Sequence, residues 1–93
     1  NGLDNLIEVR EGDIAEEILG RPVDMILANI TAEVINELLP LASEALPSGG
    51  YFFGSGIVDS RWPGVQKQLD NCGFTVEQVL TDIDWVGVAA RKK

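Results

Sequence analysis

"VDMILANI", residues 23–30, decides how this chain is read. Apart from Asp24 it is an apolar run of strand length that stops at Asn29, the pattern of a central parallel strand covered on both faces. Thr31 then stands where it can cap a helix, and Ile35, Leu38, Leu39, Ala42 and Leu46 recur at helical spacing, leaving Glu33, Glu37 and Glu44 outward. Pro40 is expected to kink that helix or to end its first half. A buried strand running directly into an amphipathic helix is the unit from which α/β folds are built.

The same unit recurs outward in both directions. Upstream, "LIEVREGD", residues 6–13, alternates apolar and polar side chains as a short strand does, and stops at Gly12. Asp13 and Glu16 have capping-box spacing for a short helix that Gly20 and Pro22 end. Downstream, Pro47, Gly49 and Gly50 stop the second helix, and "YFFGSGI" resumes as β-favouring sequence. Val65 and Leu69 mark the face of a third helix between Ser60 and Cys72, with Pro63 in its first turn and Gly73 as its stop. "FTVEQVLTD" and "WVGVAARK" are separated by almost no loop, so an antiparallel hairpin is the economical connection. The resulting order is βαβαβαββ: an α/β fold with an open, mostly parallel sheet, helices on its faces and a C-terminal antiparallel hairpin.

Composition narrows the chemistry. The 93 residues suit one small domain, and 45% hydrophobic with 24% charged residues argues against disorder. A net charge of -8 disfavours a broad grip on nucleic acid and points to a basic protein partner. The compact basic cluster Arg91, Lys92 and Lys93 reads as a solvated tail. With one cysteine and no histidine, an intramolecular disulfide, a Cys/His zinc site and a His-dependent triad are excluded, and no metal is expected. There is no run of membrane-spanning length and no charged-then-apolar leader, so a cytoplasmic location is the default expectation.

Ligands of open α/β sheets bind at the carboxyl ends of the parallel strands, which makes Asp13, Asn29 to Thr31 and Ser55 to Val58 the candidates. Position alone favours the plainer reading, in which polar strand ends only turn the chain and Asn29 caps a local backbone group. Against it, an amide on the floor of a cleft can orient a substrate amine without permanently protonating it. "GSGI" is not a phosphate cradle, because Asp59 stands where the third glycine belongs; Gly54 and Gly56 instead relieve crowding or allow close backbone approach. Asp82 and Asp84 read as solvated turn residues and Cys72 as a small buried hydrophobe; Trp62 and Trp85 could stack on a ligand, but anchoring a helix start or capping the sheet is the better reading for each.

"EGD", "VDMILANI", "LPSGGYFFGSGI", "CGF" and a terminal hairpin with "DW" together resemble the later part of a Rossmann-like, S-adenosylmethionine-dependent methyltransferase. More closely, "LANI", then "LLPLASEALPSGG", "SGI", "GF" and a Trp near "RKK" are similar to the PrmA family, which methylates amino groups of a ribosomal protein. The resemblance runs nearly end to end, and "LANI" followed by "SGI" is its most specific part. It implies S-adenosylmethionine as cofactor and a basic ribosomal protein as substrate. By the same resemblance Asp13 matches the position that contacts the adenine amino group, with Ile14 beside the ring. Asn29 and Ile30 match the motif at the methionine end of the cofactor and the incoming amine, Asn29 being the catalytic candidate. Thr31, Ser55, Gly56 and Ile57 fall at the substrate rim.

The resemblance also sets expectations about what is absent. Residues 1–93 correspond to the C-terminal part of a single catalytic domain, without its first two strands, its glycine-rich loop or the acidic residue that holds the ribose hydroxyls, and in isolation that part is expected to be inactive. The family's first strand would lie between the strands ending near Asp13 and Asn29, so either residues 6–12 pair directly with residues 23–29 or copies of the chain associate through the exposed edge. Two further readings stand beside this one. A flavodoxin-like signalling or interaction module shares the βα alternation, although Asn29 and Ser55 stand where a phospho-receiver needs Asp and Lys. A related methyltransferase could act on another amine or on RNA.

Overall fold

The computed structural model describes residues 6–10 and 23–93. Among these, β1 (Leu6–Arg10), β2 (Met25–Asn29), α1 (Ala32–Ala45), β3 (Tyr51–Val58), α2 (Trp62–Asn71), β4 (Phe74–Thr81) and β5 (Trp85–Lys92) follow in chain order. A 3-10 turn, Asp59–Arg61, leads into α2. The helix anticipated from Asp13 to Gly20 lies outside the described residues.

The strands form one sheet in the order β1-β2-β3-β5-β4. β1, β2 and β3 are parallel, whereas β5 runs antiparallel to both β3 and β4. β1 pairs directly with β2, Leu6 opposite Met25 through Arg10 opposite Asn29, the first of the two solutions anticipated for this edge.

Register explains the core. Ile7, Ile26, Phe52 and Ala90 lie in one row across four strands, and Val9, Ala28, Gly54 and Val88 in the next. Both rows are buried and join one cluster with Ile35, Leu38, Leu39 and Ala42 of α1 and Val65 and Leu69 of α2. Alternation along a strand then sends Leu27 and Phe53 to the other face, where they are half-buried. This corrects the expectation that β2 is covered on both sides: among the described residues Ile26 and Ala28 are buried while Met25 and Leu27 are only partly so.

Two more expectations need correction. Pro40 neither ends α1 nor divides it, since the helix continues to Ala45 with the proline on its exposed side. The carbonyl that Pro40 leaves without an N–H partner is that of Asn36, and Gln68 Nε2 of α2 donates to it across 3.1 Å. The basic C-terminal residues are not a solvated tail either. Arg91 and Lys92 are the end of β5; Arg91 Nε lies 3.0 Å from Glu77 Oε2, and Lys92 Nζ donates to the Ser43 carbonyl. Cys72 caps α2 only half-buried, and burial pushes its thiol pKa up. Trp62 packs against the core at the start of α2, as anticipated.

Candidate functional site

β2 and β3 end side by side. In their register Ala28 faces Gly54 and Asn29 faces Ser55, which brings two of the anticipated polar strand ends together. Past Asn29 the chain turns inward at Ile30, which is buried, and Thr31 takes extended backbone angles, φ -67° and ψ 158°, to start α1. Its Oγ1 accepts from Val34 N at 3.4 Å, satisfying one of the orphan donors of the first helical turn. The cap of α1 is therefore Thr31. The Asn29 side chain is exposed and makes no hydrogen bond to another described residue, so it is not spent on turning or capping the chain.

β3 changes character at the same level. Its pairing with β5 slips between Gly54 and Ile57, leaving Ser55 and Gly56 in a bulge while Ser55 stays aligned with Asn29. Gly56 has φ +78°, and a Cβ built on it would lie 2.9 Å from Asn29 Oδ1. Ile57 turns back into the core and is fully buried. The side chains of Ile30 and Ile57 thus belong to the core, and only their main chain is left to face the rim.

Trp85 completes the site from the far side. The hairpin turn before it is held by Asp82, whose Oδ1 accepts from Ile83 N at 2.7 Å and whose N–H donates to the Trp85 carbonyl at 2.8 Å. Asp59 N donates to the Asp84 carbonyl at 3.2 Å, tying the turn to the end of β3. Trp85 consequently pairs with Val58 and remains 43% exposed, too open to be a sheet cap alone. It walls a recess of about 360 Å³ with Asn29, Ser55 and Gly56. A second, apolar recess of about 380 Å³ adjoins it through Ser55 and Trp85 and runs over Phe53, Gln78, Leu80 and Ala89. Sequence reasoning preferred the sheet-cap reading of Trp85 to a place beside a ligand, because its position depends on the hairpin register and on the bulge, neither of which has a local signal.

Among the described residues the lining of the first recess is neutral. They offer amide, hydroxyl and main-chain groups beside an aromatic wall, and no acid or base. These groups can hold and aim an uncharged nucleophile but cannot take its proton. Among the described residues no group of three or more His, Cys, Asp or Glu could hold a metal ion. No helix there is long and apolar enough to cross a membrane. Asp13 and Ile14 lie outside the described residues. A larger recess, about 500 Å³ between α2 and β4 with Lys67, Asp70 and Lys93, sits by the start of β4, at the opposite end of the sheet from Asn29.

Comparison with known proteins adds to this geometry. A family model described as Ribosomal protein L11 methyltransferase (PrmA) matches residues 1–93. A curated relative from Syntrophomonas wolfei subsp. wolfei, named Ribosomal protein L11 methyltransferase, is 63% identical over all of this chain, which covers 30% of that protein. The chain thus spans about 30% of the length of the curated relatives it matches. Among solved structures, a ribosomal protein L11 methylase from Lactobacillus delbrueckii subsp. bulgaricus superposes with a TM-score of 0.71 at 31% identity, over 75% of this chain and 37% of that one. The tRNA methyltransferase TrmK of B. subtilis, at TM-score 0.64 and 16% identity, covers 88% of this chain and 36% of its own, and shows the fold alone.

Proposed function

We propose, for a chain that belongs to the ribosomal protein L11 methyltransferase (PrmA) family, that residues 1–93 are the C-terminal part of a single catalytic domain that methylates amino groups of a ribosomal protein. One observation carries the residue assignment: the Asn29 carboxamide stands exposed at the end of β2, in a recess whose described lining is neutral, with no hydrogen bond to another described residue. Methyl transfer to nitrogen needs an uncharged amine with its lone pair in line with the methyl carbon, so positioning dominates over acid–base strength. Asn29 Oδ1 accepts one hydrogen of the incoming amine and fixes the direction of the lone pair without protonating it.

S-adenosylmethionine supplies the methyl group, activated on a sulfonium. The described lining, Asn29, Ser55, Gly56 and Trp85, carries no positive charge to oppose a cationic donor. In this reading Asp13 would hold the adenine amino group, Ile14 would stand beside the ring, and Asn29 and Ile30 would serve the methionine end. Thr31, Ser55, Gly56 and Ile57 form the substrate rim, Ile57 through its backbone. The net charge of -8 suits a basic ribosomal protein, and such a substrate supports a cytoplasmic location, where ribosomes are assembled. Covering 30% of its relatives' length, the chain is expected not to turn over by itself.

The test is to graft this chain into the Syntrophomonas wolfei relative in place of the segment it matches. The graft should bind S-adenosylmethionine in a calorimetric titration and label a ribosomal protein rather than tRNA, and Asn29→Ala should lower kcat by about 100-fold. A graft that binds the cofactor but transfers only to RNA, or an Asn29→Ala variant as fast as its parent, would overturn the assignment.

A further inference from the structure

We infer that Gly56 is a positioning residue whose missing side chain sets the pose of the Asn29 carboxamide. The inference rests on the role given to Asn29 above and names what holds that amide in place. Among the described residues three glycines have positive φ: Gly49 at +89°, Gly56 at +78° and Gly73 at +86°. A Cβ at Gly49 would meet nothing within 4 Å, and one at Gly73 would touch only the Lys92 side chain, at 3.9 Å. At those two positions backbone conformation alone explains the glycine. At Gly56 a Cβ would also stand 2.9 Å from Asn29 Oδ1, closer than carbon and oxygen can approach without one of them moving.

What yields is decided by the surroundings. Asn29 Oδ1 is the free end of an exposed side chain with no hydrogen bond to another described residue, so the amide can rotate away at little cost. The Gly56 main chain is anchored on both sides, by Ser55 aligned with Asn29 and by Ile57 buried opposite Val86. A methyl group at position 56 therefore displaces the amide and leaves the fold in place. With no hydrogen bond from another described residue to steer it, the carboxamide owes its pose to packing against the Gly56 α-carbon, whose hydrogen occupies the direction a Cβ would take.

This separates two quantities that glycine substitutions normally mix. In the graft described above, Gly49→Ala and Gly56→Ala should lower the urea midpoint by similar amounts, because each forces alanine into the left-handed region. Gly49→Ala should keep kcat within about twofold, whereas Gly56→Ala should lose about 100-fold in kcat, the scale of an ångström-level misplacement, with little change in KM for S-adenosylmethionine. In the Asn29→Ala background Gly56→Ala should add less than about twofold, since the group it displaces is gone. The Asn29 side-chain amide resonances should shift in Gly56→Ala and not in Gly49→Ala.

Losses at 29 and 56 that multiply would overturn the inference and leave the Asn29 assignment standing. An Asn29→Ala variant with undiminished kcat would overturn both. Unfolding of Gly56→Ala under conditions where Gly49→Ala stays folded would also overturn it, because the amide would then not be the part that gives way.

Discussion

Gln68 on α2 reaches the main-chain carbonyl of Asn36 in the middle of α1, donating from Nε2 across 3.1 Å to the one helical acceptor that Pro40 has deprived of its partner. A proline inside a helix ordinarily breaks it through that lost bond and through ring crowding. Here the neighbouring helix replaces the bond, and the proline ring sits on the exposed side. Gln68→Leu should cost about 1–2 kcal/mol, the penalty for stranding a part-buried acceptor. Pro40→Ala restores the N–H, so Gln68→Leu should cost much less in that background. Urea denaturation of the four chains checks this, and equal costs in both backgrounds would remove the link.

That pair marks the boundary of what the sequence shows. The face Ile35, Leu38, Leu39, Ala42 and Leu46, the Thr31 cap and the Gly73 stop are local patterns, and each stands where periodicity or cap chemistry places it. Pro40 looked like a break because its remedy, Gln68, stands on another helix, 32 residues from the Asn36 carbonyl it serves. Arg91 and Lys92 looked like a tail because their partners, Glu77 and the Ser43 carbonyl, are supplied by other elements. Asn29 and Ser55 were legible from strand-end logic, since parallel neighbours finish at the same level. Trp85 was not, because a hairpin, a reversed strand and a bulge all have to be placed before it meets them.

The single tyrosine offers a pH-dependent test. Tyr51 Oη donates to Glu77 Oε1 at 2.7 Å, and Arg91 Nε holds the other carboxylate oxygen at 3.0 Å. The bond to Glu77 raises the Tyr51 pKa above its ordinary value, with desolvation and the Glu77 charge adding and Arg91 opposing. A phenol whose pKa is raised on folding contributes stability that is fully present below the unfolded value of about 10 and is lost as pH rises through the folded value. Tyrosinate absorbance should therefore appear at higher pH in the folded chain than in urea. Tyr51→Phe should flatten the alkaline decline of the urea midpoint relative to wild type; identical declines would show that the pair adds nothing.

Lys92 acts at the far end of α1. That helix has Glu33 in its first turn and no basic residue in its last, so nothing on the helix itself complements the negative end of its dipole. Lys92 supplies the charge from β5 by donating to the Ser43 carbonyl, while Ser43 Oγ donates to the Cys72 carbonyl at 2.6 Å and joins the ends of both helices. Lys92→Met keeps the aliphatic stem and removes the cation, and should lower stability by about 0.5–1 kcal/mol. Lys92→Arg should retain most of it. A Lys92→Met chain with an unchanged urea midpoint would reduce the contact to a surface accident.

Gly54 and Gly87 make the complementary case to Gly56, one in which the core decides. A Cβ at Gly54 would lie 3.1 Å from Phe52 Cε2, 3.4 Å from Val88 Cγ1 and 3.5 Å from Ile35 Cδ1. Phe52 is fully buried and its ring packs against Phe74 at 6.1 Å between centroids, so the nearest neighbour has nowhere to go. Gly54→Ala should therefore destabilise by about 1–3 kcal/mol, as overpacking of a filled core does. At Gly87 the nearest atoms would be 3.6 and 3.8 Å away, ordinary contact distances, and Gly87→Ala should stay within about 0.5 kcal/mol of wild type. The methyl group at 54 meets a ring that cannot yield and is paid in stability; the one at 56 meets an amide that can, and its effect falls on chemistry. Equal urea midpoints for Gly54→Ala and Gly87→Ala would mean that the Phe52 ring has room to move, and the distinction between the two kinds of glycine would fail at its core end.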